Sequence, residues 1–304
     1  MTPPVPRREA LLADAVLVGV TAIWGSTFVV NRLVLDASVP PLLFLFLRFG
    51  LAAAILLALA KGRPRTPGLL RDSAAVGTLL ALGIGCQLVG QLTTTASKAA
   101  FITGLSVPLT PVVGFLVTRK KPGAENLAGL VVATAGFAVL AWPKEASTLN
   151  VGDFLILLTA VSYAWIIVRV AEVSGRHDVR WFSAGQIGFA ALGVAAARLA
   201  VTPFLGGGSG YLAAEAAPLV LGGGLIAALL WMALAATVLT FLLQTWAQAR
   251  MSATHAAIVF ALEPVFTALF AAAFLGERLT GRDLGGASLV LLGIVVSELP
   301  LSRR

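Results

Sequence analysis

The chain has 304 residues, of which 58% are hydrophobic and 12% are charged, and its mean hydropathy is +0.93. Soluble domains average about 45–50% apolar and about 25% charged residues, so this composition excludes an ordinary soluble protein and indicates an integral membrane protein. The net charge of +8 would suggest nucleic acid as a partner in a soluble chain. Here the basic residues lie in short loops, where they set membrane orientation and favour anionic lipid, so no nucleic acid is expected.

Apolar runs separated by charged residues, Pro or Gly predict ten membrane-spanning helices. The first run follows Arg7 and Arg8, as in a signal peptide. It is long enough for a full span and lacks a convincing A-x-A cleavage site, so we interpret it as the first helix. The predicted spans are 12–34, 40–60, 72–93, 98–118, 124–142, 151–171, 180–202, 218–248, 254–275 and 281–299, and the longest predicted loop is 204–217.

The loop charges predict the orientation of these spans. Of the Lys and Arg residues, 15 fall on one side of the membrane and 6 on the other, while Arg48 lies within a span. By the positive-inside rule, both termini are predicted to be cytoplasmic, which an even number of spans requires. The prediction is an all-α, multi-pass protein of a bacterial inner (plasma) membrane.

The chain also contains an internal repeat, with five predicted spans in residues 1–145 and five in 146–304. An offset of 157 or 139 residues aligns the two halves. The aligned positions include Gln87 with Gln244, Gln91 with Gln248, Asp14 with Asp153, and Trp24 with Tyr163. Because five is odd, the second copy starts on the opposite side of the membrane. Such inverted repeats build many secondary transporters, whose substrates bind near the midplane where the halves meet.

Three stretches carry a resemblance to a known family: "AIWGSTFVVNR", "FLRFG" and "ALEPVFTALFAAAFLGERLTGRDLGGASLVLLGIVV". They resemble the EamA-type drug/metabolite transporter superfamily, and the chain looks most like the YddG-type branch of bacterial aromatic amino acid exporters. The first copy departs from the pattern, because Arg119-Lys120-Lys121 stand where the second copy has Gly276-Glu277-Arg278. The resemblance implies ten spans with both ends cytoplasmic.

Together, the repeat and the resemblance predict a transporter that exports small amphipathic metabolites by alternating access. Aromatic or other neutral amino acids are the expected substrates. A drug or nucleotide-sugar transporter of the same fold is an alternative, and a polytopic enzyme or receptor is a weaker one. No P-loop, metal-ligand cluster, G-x-S-x-G or HExxH motif occurs in the sequence, so no enzyme activity, cofactor or metal is expected.

Glu263, followed directly by Pro264, is the most informative polar residue within a span. A charge at a helix centre costs about 2.5–3.5 kcal/mol on insertion scales, so such residues usually face a cavity or a partner. Glu263 is therefore either a ligand-facing or proton-accepting carboxylate, or a structural acid that is protonated or paired with Arg48. Its repeat mate is Ser106. Prolines such as Pro108 and Pro264 predict helix breaks at equivalent depths in the two copies. These breaks either border a substrate site or are kinks that serve helix packing.

Other polar and aromatic side chains complete the candidate site around an expected cavity between the first, third, fourth, sixth, eighth and ninth spans. Each could instead serve helix packing. The candidates for substrate contact are Trp24, Phe28, Asn31, Gln87, Ser106, Tyr163, Trp165, Gln244 and Glu263. The candidates for gating or structural roles are Arg48, Gln91, Lys98, Pro108, Gln248, His255 and Pro264.

Three of these candidates have charged or titratable side chains outside the amide and aromatic sets. Arg48 is a fixed cation that could attract a carboxylate substrate or neutralise Glu263. A structural ion pair or a carbonyl clamp is the favoured interpretation, since the resemblance implies that the second span does not line the cavity. Lys98 and His255 begin the fourth and ninth spans and could mark opposite gates. Glycine-rich fifth and tenth spans predict tight packing with each other or a dimer contact, so a monomer and a homodimer both remain open.

Overall fold

The structure, a computed structural model, describes residues 6–94, 96–119, 121–141, 150–205, 210–275 and 280–297. These residues are almost entirely helical, and no strand occurs among them. The α-helices are α1 (Arg7–Asp36), α2 (Pro41–Ala60), α3 (Leu69–Gly90), α4 (Ala96–Gly104), α5 (Ser106–Thr118), α6 (Ala124–Ala141), α7 (Val151–Val173), α8 (Val179–Val201), α9 (Tyr211–Ala216), α10 (Gly223–Leu230), α11 (Thr240–Gln248), α12 (Ala253–Phe260), α13 (Glu263–Leu275) and α14 (Gly281–Ser297). Turns of 3₁₀ helix cover Ser174–Arg176 and Thr202–Phe204, and a π-helical segment covers Trp231–Leu239.

Seven helical segments in the described chain are long and apolar enough to cross a membrane. They are Arg7–Asp36, Pro41–Ala60, Leu69–Gly90, Val151–Arg176, Val179–Phe204, Gly223–Gln248 and Ala253–Phe274. Three shorter apolar helices cover Ile102–Thr118, Ala124–Val139 and Leu284–Ser297. All of these segments fall on predicted spans, and they make the protein a multi-pass membrane protein. The count of ten, like the cytoplasmic location of both termini, stays a prediction.

The helix boundaries follow the internal repeat. Adding 157 to the first residues of α4, α5 and α6 gives 253, 263 and 281, where α12, α13 and α14 begin. The interruption between α4 and α5 at Leu105 corresponds to the interruption between α12 and α13 at Ala261–Leu262. A two-repeat fold therefore fits the helix boundaries.

The α6–α14 pair illustrates how glycine shapes the packing. Built on Gly129 or Gly293, a Cβ atom would lie within 2.7 Å of the facing helix backbone, and one on Gly136 would lie 2.6 Å from the Val290 nitrogen. Only glycine permits backbones to approach so closely, as in other membrane helix pairs. The two predicted glycine-rich spans therefore pack against each other within one chain.

The largest apolar core lies among α2, α3, α7, α8 and the π-helical segment, with fully buried residues such as Phe49, Leu88 and Ile187. Glu215 of α9 connects the start of α2 to the end of α8. Its carboxylate accepts hydrogen bonds from the backbone N–H groups of Leu42 (2.8 Å) and Leu43 (3.3 Å) and pairs with Arg198. These contacts satisfy backbone donors that the beginning of every helix leaves free.

Candidate functional site

A cavity of about 70 Å³ lies inside the bundle, among α1, α2, α3, α5, α7 and α11–α13. Its walls are formed by Trp24, Thr27, Arg48, Leu80, Ile84, Gln87, Ser106, Tyr163, Ile166, Ile167, Phe241, Gln244, Phe260 and Glu263. A dry cavity of ~150 Å³ admits benzene in a rigid protein. An occupant of amino-acid size therefore requires the surrounding helices to move apart.

Ten of the 14 lining residues form five pairs that the repeat offsets relate. The pairs are Trp24 with Tyr163, Thr27 with Ile166, Ile84 with Phe241, Gln87 with Gln244, and Ser106 with Glu263. A cavity lined by equivalent positions of both copies lies where the copies meet, which is the usual position of the substrate in transporters built from inverted repeats.

Three aromatic rings form one wall of the cavity. The indole of Trp24 lies 5.8 Å from the ring of Phe241 and 5.5 Å from that of Phe260, measured between centroids. Its Nε1–H donates to the Ala236 carbonyl (3.3 Å) and to the Thr240 hydroxyl (3.1 Å). The hydrogen bonds fix the indole orientation, and the grouped rings provide a surface suited to a planar apolar group.

The two cavity glutamines are held in different ways. Gln87 donates through Nε2 to the hydroxyl of Thr103 (3.2 Å), while Gln244 donates to Oε1 of Gln248 (2.9 Å). Gln248 in turn donates to the Ile167 carbonyl (3.2 Å). The buried Oε1 of Gln244 has no hydrogen-bond partner among the described residues. It is therefore an acceptor available to a ligand donor.

Arg48 reaches the cavity from α2, contrary to the expectation that the second span does not line it. Its Nε donates to the Thr237 hydroxyl (2.9 Å), and one terminal nitrogen donates to the Ala236 carbonyl (3.2 Å). Both acceptors belong to the π-helical segment. The carbonyl clamp expected from the sequence is thus present, whereas no ion pair of Arg48 occurs within the described residues.

Glu263 is the acidic residue of the same cavity. It is the first residue of α13, directly after the helix interruption, and its carboxylate forms neither hydrogen bond nor ion pair within the described residues. Tyr163 lies within electrostatic range of both Glu263 and Arg48. The side chain of Ser106 occupies the equivalent position in the first copy.

Three predicted substrate contacts lie away from this cavity. Phe28 is buried against Ala99, Ala100, Ile102 and Ile156, Asn31 is buried with its Oδ1 unpaired, and Trp165 packs on α5 beside Val113. For Phe28 the cause is its depth along α1, because it shares a helix face with Trp24 but lies one turn further on. On α1, residues 24 and 27 face the cavity, while the adjacent residue 28 points into a neighbouring apolar cluster.

The predicted structural residues show equally varied surroundings. Gln91 is buried at the end of α3 with its Nε2 unpaired. Pro108 is the third residue of α5 and Pro264 the second residue of α13, where a missing N–H costs little. The helix interruptions thus precede these prolines, at equivalent positions. The side chain of Lys98 lies outside the described residues.

His255 joins three helices at one end of the bundle. Its imidazole lies 2.8 Å from an Asp14 carboxylate oxygen and 3.2 Å from the Ser297 hydroxyl, so it connects α12 with α1 and α14. The residues that follow it on α12, Ala256, Ala257 and Ile258, are apolar and fully buried. His255 therefore lies beside a closed, apolar part of the bundle.

Two apolar clusters flank the cavity and are related by the repeat. The first contains Ala13, Leu17, Val20, Ile167, Ala247, Ala256, Ala257, Val259 and Phe260. The second contains Phe28, Ala99, Ala100, Ile102 and Ile156. Along α1 the order is first cluster, cavity, second cluster, and along α7 it is reversed. Both clusters are packed in this structure, and along α1 and α7 each lies between the cavity and one end of the helix.

Sequence reasoning missed half of the cavity lining, namely Thr27 and the apolar residues Leu80, Ile84, Ile166, Ile167, Phe241 and Phe260. A signal for four of them was present, because Thr27 aligns with Ile166 and Ile84 with Phe241 under the same offsets that pair the glutamines. Among the described residues, no group of three His, Cys, Asp or Glu side chains is placed to hold a metal ion.

Comparison with known proteins identifies relatives over nearly the whole chain. The family model described as the EamA-like transporter family matches residues 11–142 and 150–299. A protein of Archaeoglobus fulgidus described as an uncharacterized transporter is 31% identical over 96% of this chain and 87% of its own length. A protein of Salmonella typhimurium named "Probable amino-acid metabolite efflux pump" is 26% identical over 96% of this chain and 95% of its own length.

A solved structure, described only as the crystal structure of a protein, has the same fold. It superposes with a TM-score of 0.76 and covers 98% of this chain and 100% of its own. The sequence identity is 16%, so the similarity concerns the fold alone.

Proposed function

Because the chain belongs to the EamA-like transporter family, we propose that it exports small amphipathic metabolites, with aromatic or other neutral amino acids as its substrates. The observation that carries the proposal is the central cavity, where an aromatic wall, two amides, one acid and one base face the same space. An amino acid with an apolar side chain presents the complementary groups. The Salmonella typhimurium relative, named as an amino-acid metabolite efflux pump, supports this substrate class.

The proposed architecture is ten spans in two inverted five-helix repeats, residues 1–145 and 146–304, with both termini in the cytoplasm of a bacterium. The matching starts of α4–α6 and α12–α14 support the repeats. The antiparallel order of cavity and clusters along α1 and α7 supports their inversion. The narrower assignment to the YddG-type branch belongs to the same proposal.

Transport follows from alternate opening of the two apolar clusters. Opening the first cluster, which contains Leu17, would connect the cavity to the end of the bundle where α1 begins. Opening the second, which contains Ile156, would connect it to the other end. Leu17 and Ile156 are repeat mates, and each is fully buried. Because one conformation becomes the other by exchanging the roles of equivalent helices, the two open states need not differ greatly in energy.

Transport by purified protein tests this proposal. Proteoliposomes and protein-free liposomes would be loaded with radiolabelled Phe, Trp, Thr or a cationic drug, and efflux would be followed over time. We expect Phe and Trp to leave the proteoliposomes faster than the protein-free liposomes. Efflux of the drug alone would assign the chain to drug transport. If none of the three amino acids left the proteoliposomes faster than the protein-free liposomes, the amino-acid proposal would be refuted.

A further inference from the structure

The two charged side chains of the cavity break its repeat symmetry. Glu263 has Ser106 as its mate, and the position equivalent to Arg48 under the offset of 139 is Ile187 of the apolar core. The other paired lining positions are uncharged. We infer that Arg48 binds the carboxylate and Glu263 the ammonium group of one zwitterionic substrate, which fixes its orientation; this inference rests on the proposed function.

The geometry of Arg48 suits the binding of a carboxylate. A guanidinium has five N–H donors, and two of them are used for Thr237 and Ala236, which leaves three for a ligand. The two hydrogen bonds hold the group in place without neutralising its charge, because a hydroxyl and a carbonyl are both uncharged. Arg48 is 4% exposed and lines the cavity, so an anion that enters the cavity can reach it.

The geometry of Glu263 suits the binding of an ammonium group. The carboxylate faces the cavity and has no hydrogen bond or ion pair within the described residues. Its position at the first turn of α13 favours the negative charge, because the N-terminus of a helix carries partial positive charge. The structural pair with Arg48, considered from the sequence, is not formed.

A zwitterion is the one ligand class that pairs both charges at once. A buried charge without a partner is costly, and a ligand that pairs one charge leaves the other exposed to the same low-dielectric surroundings. An amine or a carboxylic acid alone therefore fits less well than an amino acid. The wall formed by Trp24, Phe241 and Phe260 would then receive the side chain of the substrate.

The test compares three compounds that share one phenyl group: L-phenylalanine, phenethylamine, which lacks the carboxylate, and 3-phenylpropanoate, which lacks the ammonium group. Their dissociation constants would be measured by calorimetry on the purified full chain. We expect the wild type to bind phenylalanine more tightly than either analogue by about 10- to 100-fold, the range for a hydrogen bond to a charged group.

Two variants should shift the selectivity in opposite directions. Glu263→Gln is expected to improve the affinity for 3-phenylpropanoate, relative to the affinity for phenylalanine, by about tenfold or more. Arg48→Gln is expected to produce the same relative gain for phenethylamine. Arg48→Lys should restore most of the wild-type ratio. The control is Asp36→Asn, which removes an exposed carboxylate outside the cavity and should leave both ratios unchanged.

Ratios within about twofold of the wild type in both variants, or shifts in the same direction, would overturn the assignment of the two charges while leaving amino-acid transport intact. If the wild type neither binds nor transports phenylalanine, the proposed substrate class fails as well. Ratios of dissociation constants do not depend on the folded fraction. Should Arg48→Gln not yield folded protein, Glu263→Gln alone decides, since its side chain has no hydrogen bond or ion pair to lose within the described residues.

Discussion

Thr237 is predicted to position Arg48, and replacing it by valine tests this role. The buried hydroxyl of Thr237 accepts a hydrogen bond from Nε of Arg48 (2.9 Å) and donates to the Met232 carbonyl (2.7 Å), a bond that follows the π-helical spacing. Thr237→Val keeps a similar shape and removes both bonds. The guanidinium would then be held by the Ala236 carbonyl alone.

The size of the effect follows from the charge of the donor. Hydrogen bonds to charged groups are worth ~1.5–3 kcal/mol in water-soluble proteins, whereas pairs measured within membranes average ~0.6 and reach ~1.7 kcal/mol. The bond to Thr237 is charged and buried, so we adopt ~1.5 kcal/mol, equivalent to about tenfold in affinity.

Calorimetry measures the predicted change directly. We expect Thr237→Val to weaken the binding of phenylalanine and 3-phenylpropanoate by about tenfold. The binding of phenethylamine should not change, because the amine does not contact Arg48. Thr237→Ser retains the hydroxyl and should behave like the wild type. A uniform loss for all three compounds would indicate a damaged cavity, and unchanged affinities would show that Arg48 does not depend on this bond.

Five further variants examine the fold and the clusters. Gly136→Ala places a Cβ against the α14 backbone and is expected to destabilise the protein by about 1–3 kcal/mol in thermal unfolding. Its matched control is Gly85→Ala, where the Cβ meets open space, and this variant should stabilise the protein by up to about 1 kcal/mol. Glu215→Gln weakens a buried ion pair and two backbone hydrogen bonds at the start of α2. It should lower the free energy of unfolding by about 2–4 kcal/mol and reduce the melting temperature accordingly. Leu17→Ala and Ile156→Ala weaken opposite clusters. With a cysteine introduced into the cavity wall as a reporter, Leu17→Ala should raise, and Ile156→Ala should lower, its labelling by an impermeant maleimide applied from the side where α1 begins.

The course of the helices could be predicted from the sequence because a membrane leaves few alternatives. Backbone polar groups in lipid must be satisfied within a helix, so apolar runs and their breaks largely determine the spans. The repeat offsets pair Trp24 with Tyr163, and the side chains of both residues line one cavity. The same offsets locate the helix interruptions before Ser106 and Glu263.

The details of the site depended on information that periodicity does not contain. Phe28 lies on the same face of α1 as Trp24 but one turn further along, within the second cluster, and a stripe at helical spacing does not show where along the helix the cavity ends. The role of Arg48 depends on the π-helical segment, whose irregular backbone directs Ala236 and Thr237 toward α2. No residue pattern in the sequence predicts the π-helical segment.

The position of a bound amino acid tests the central claim most directly. A crystal structure of the full chain with 4-bromo-L-phenylalanine would locate the bromine by its anomalous signal. We predict one main peak within the aromatic wall of Trp24, Phe241 and Phe260, with the carboxylate at Arg48 and the amine at Glu263. A bromine peak outside the cavity, from crystals of protein that transports the compound, would contradict this account of the site.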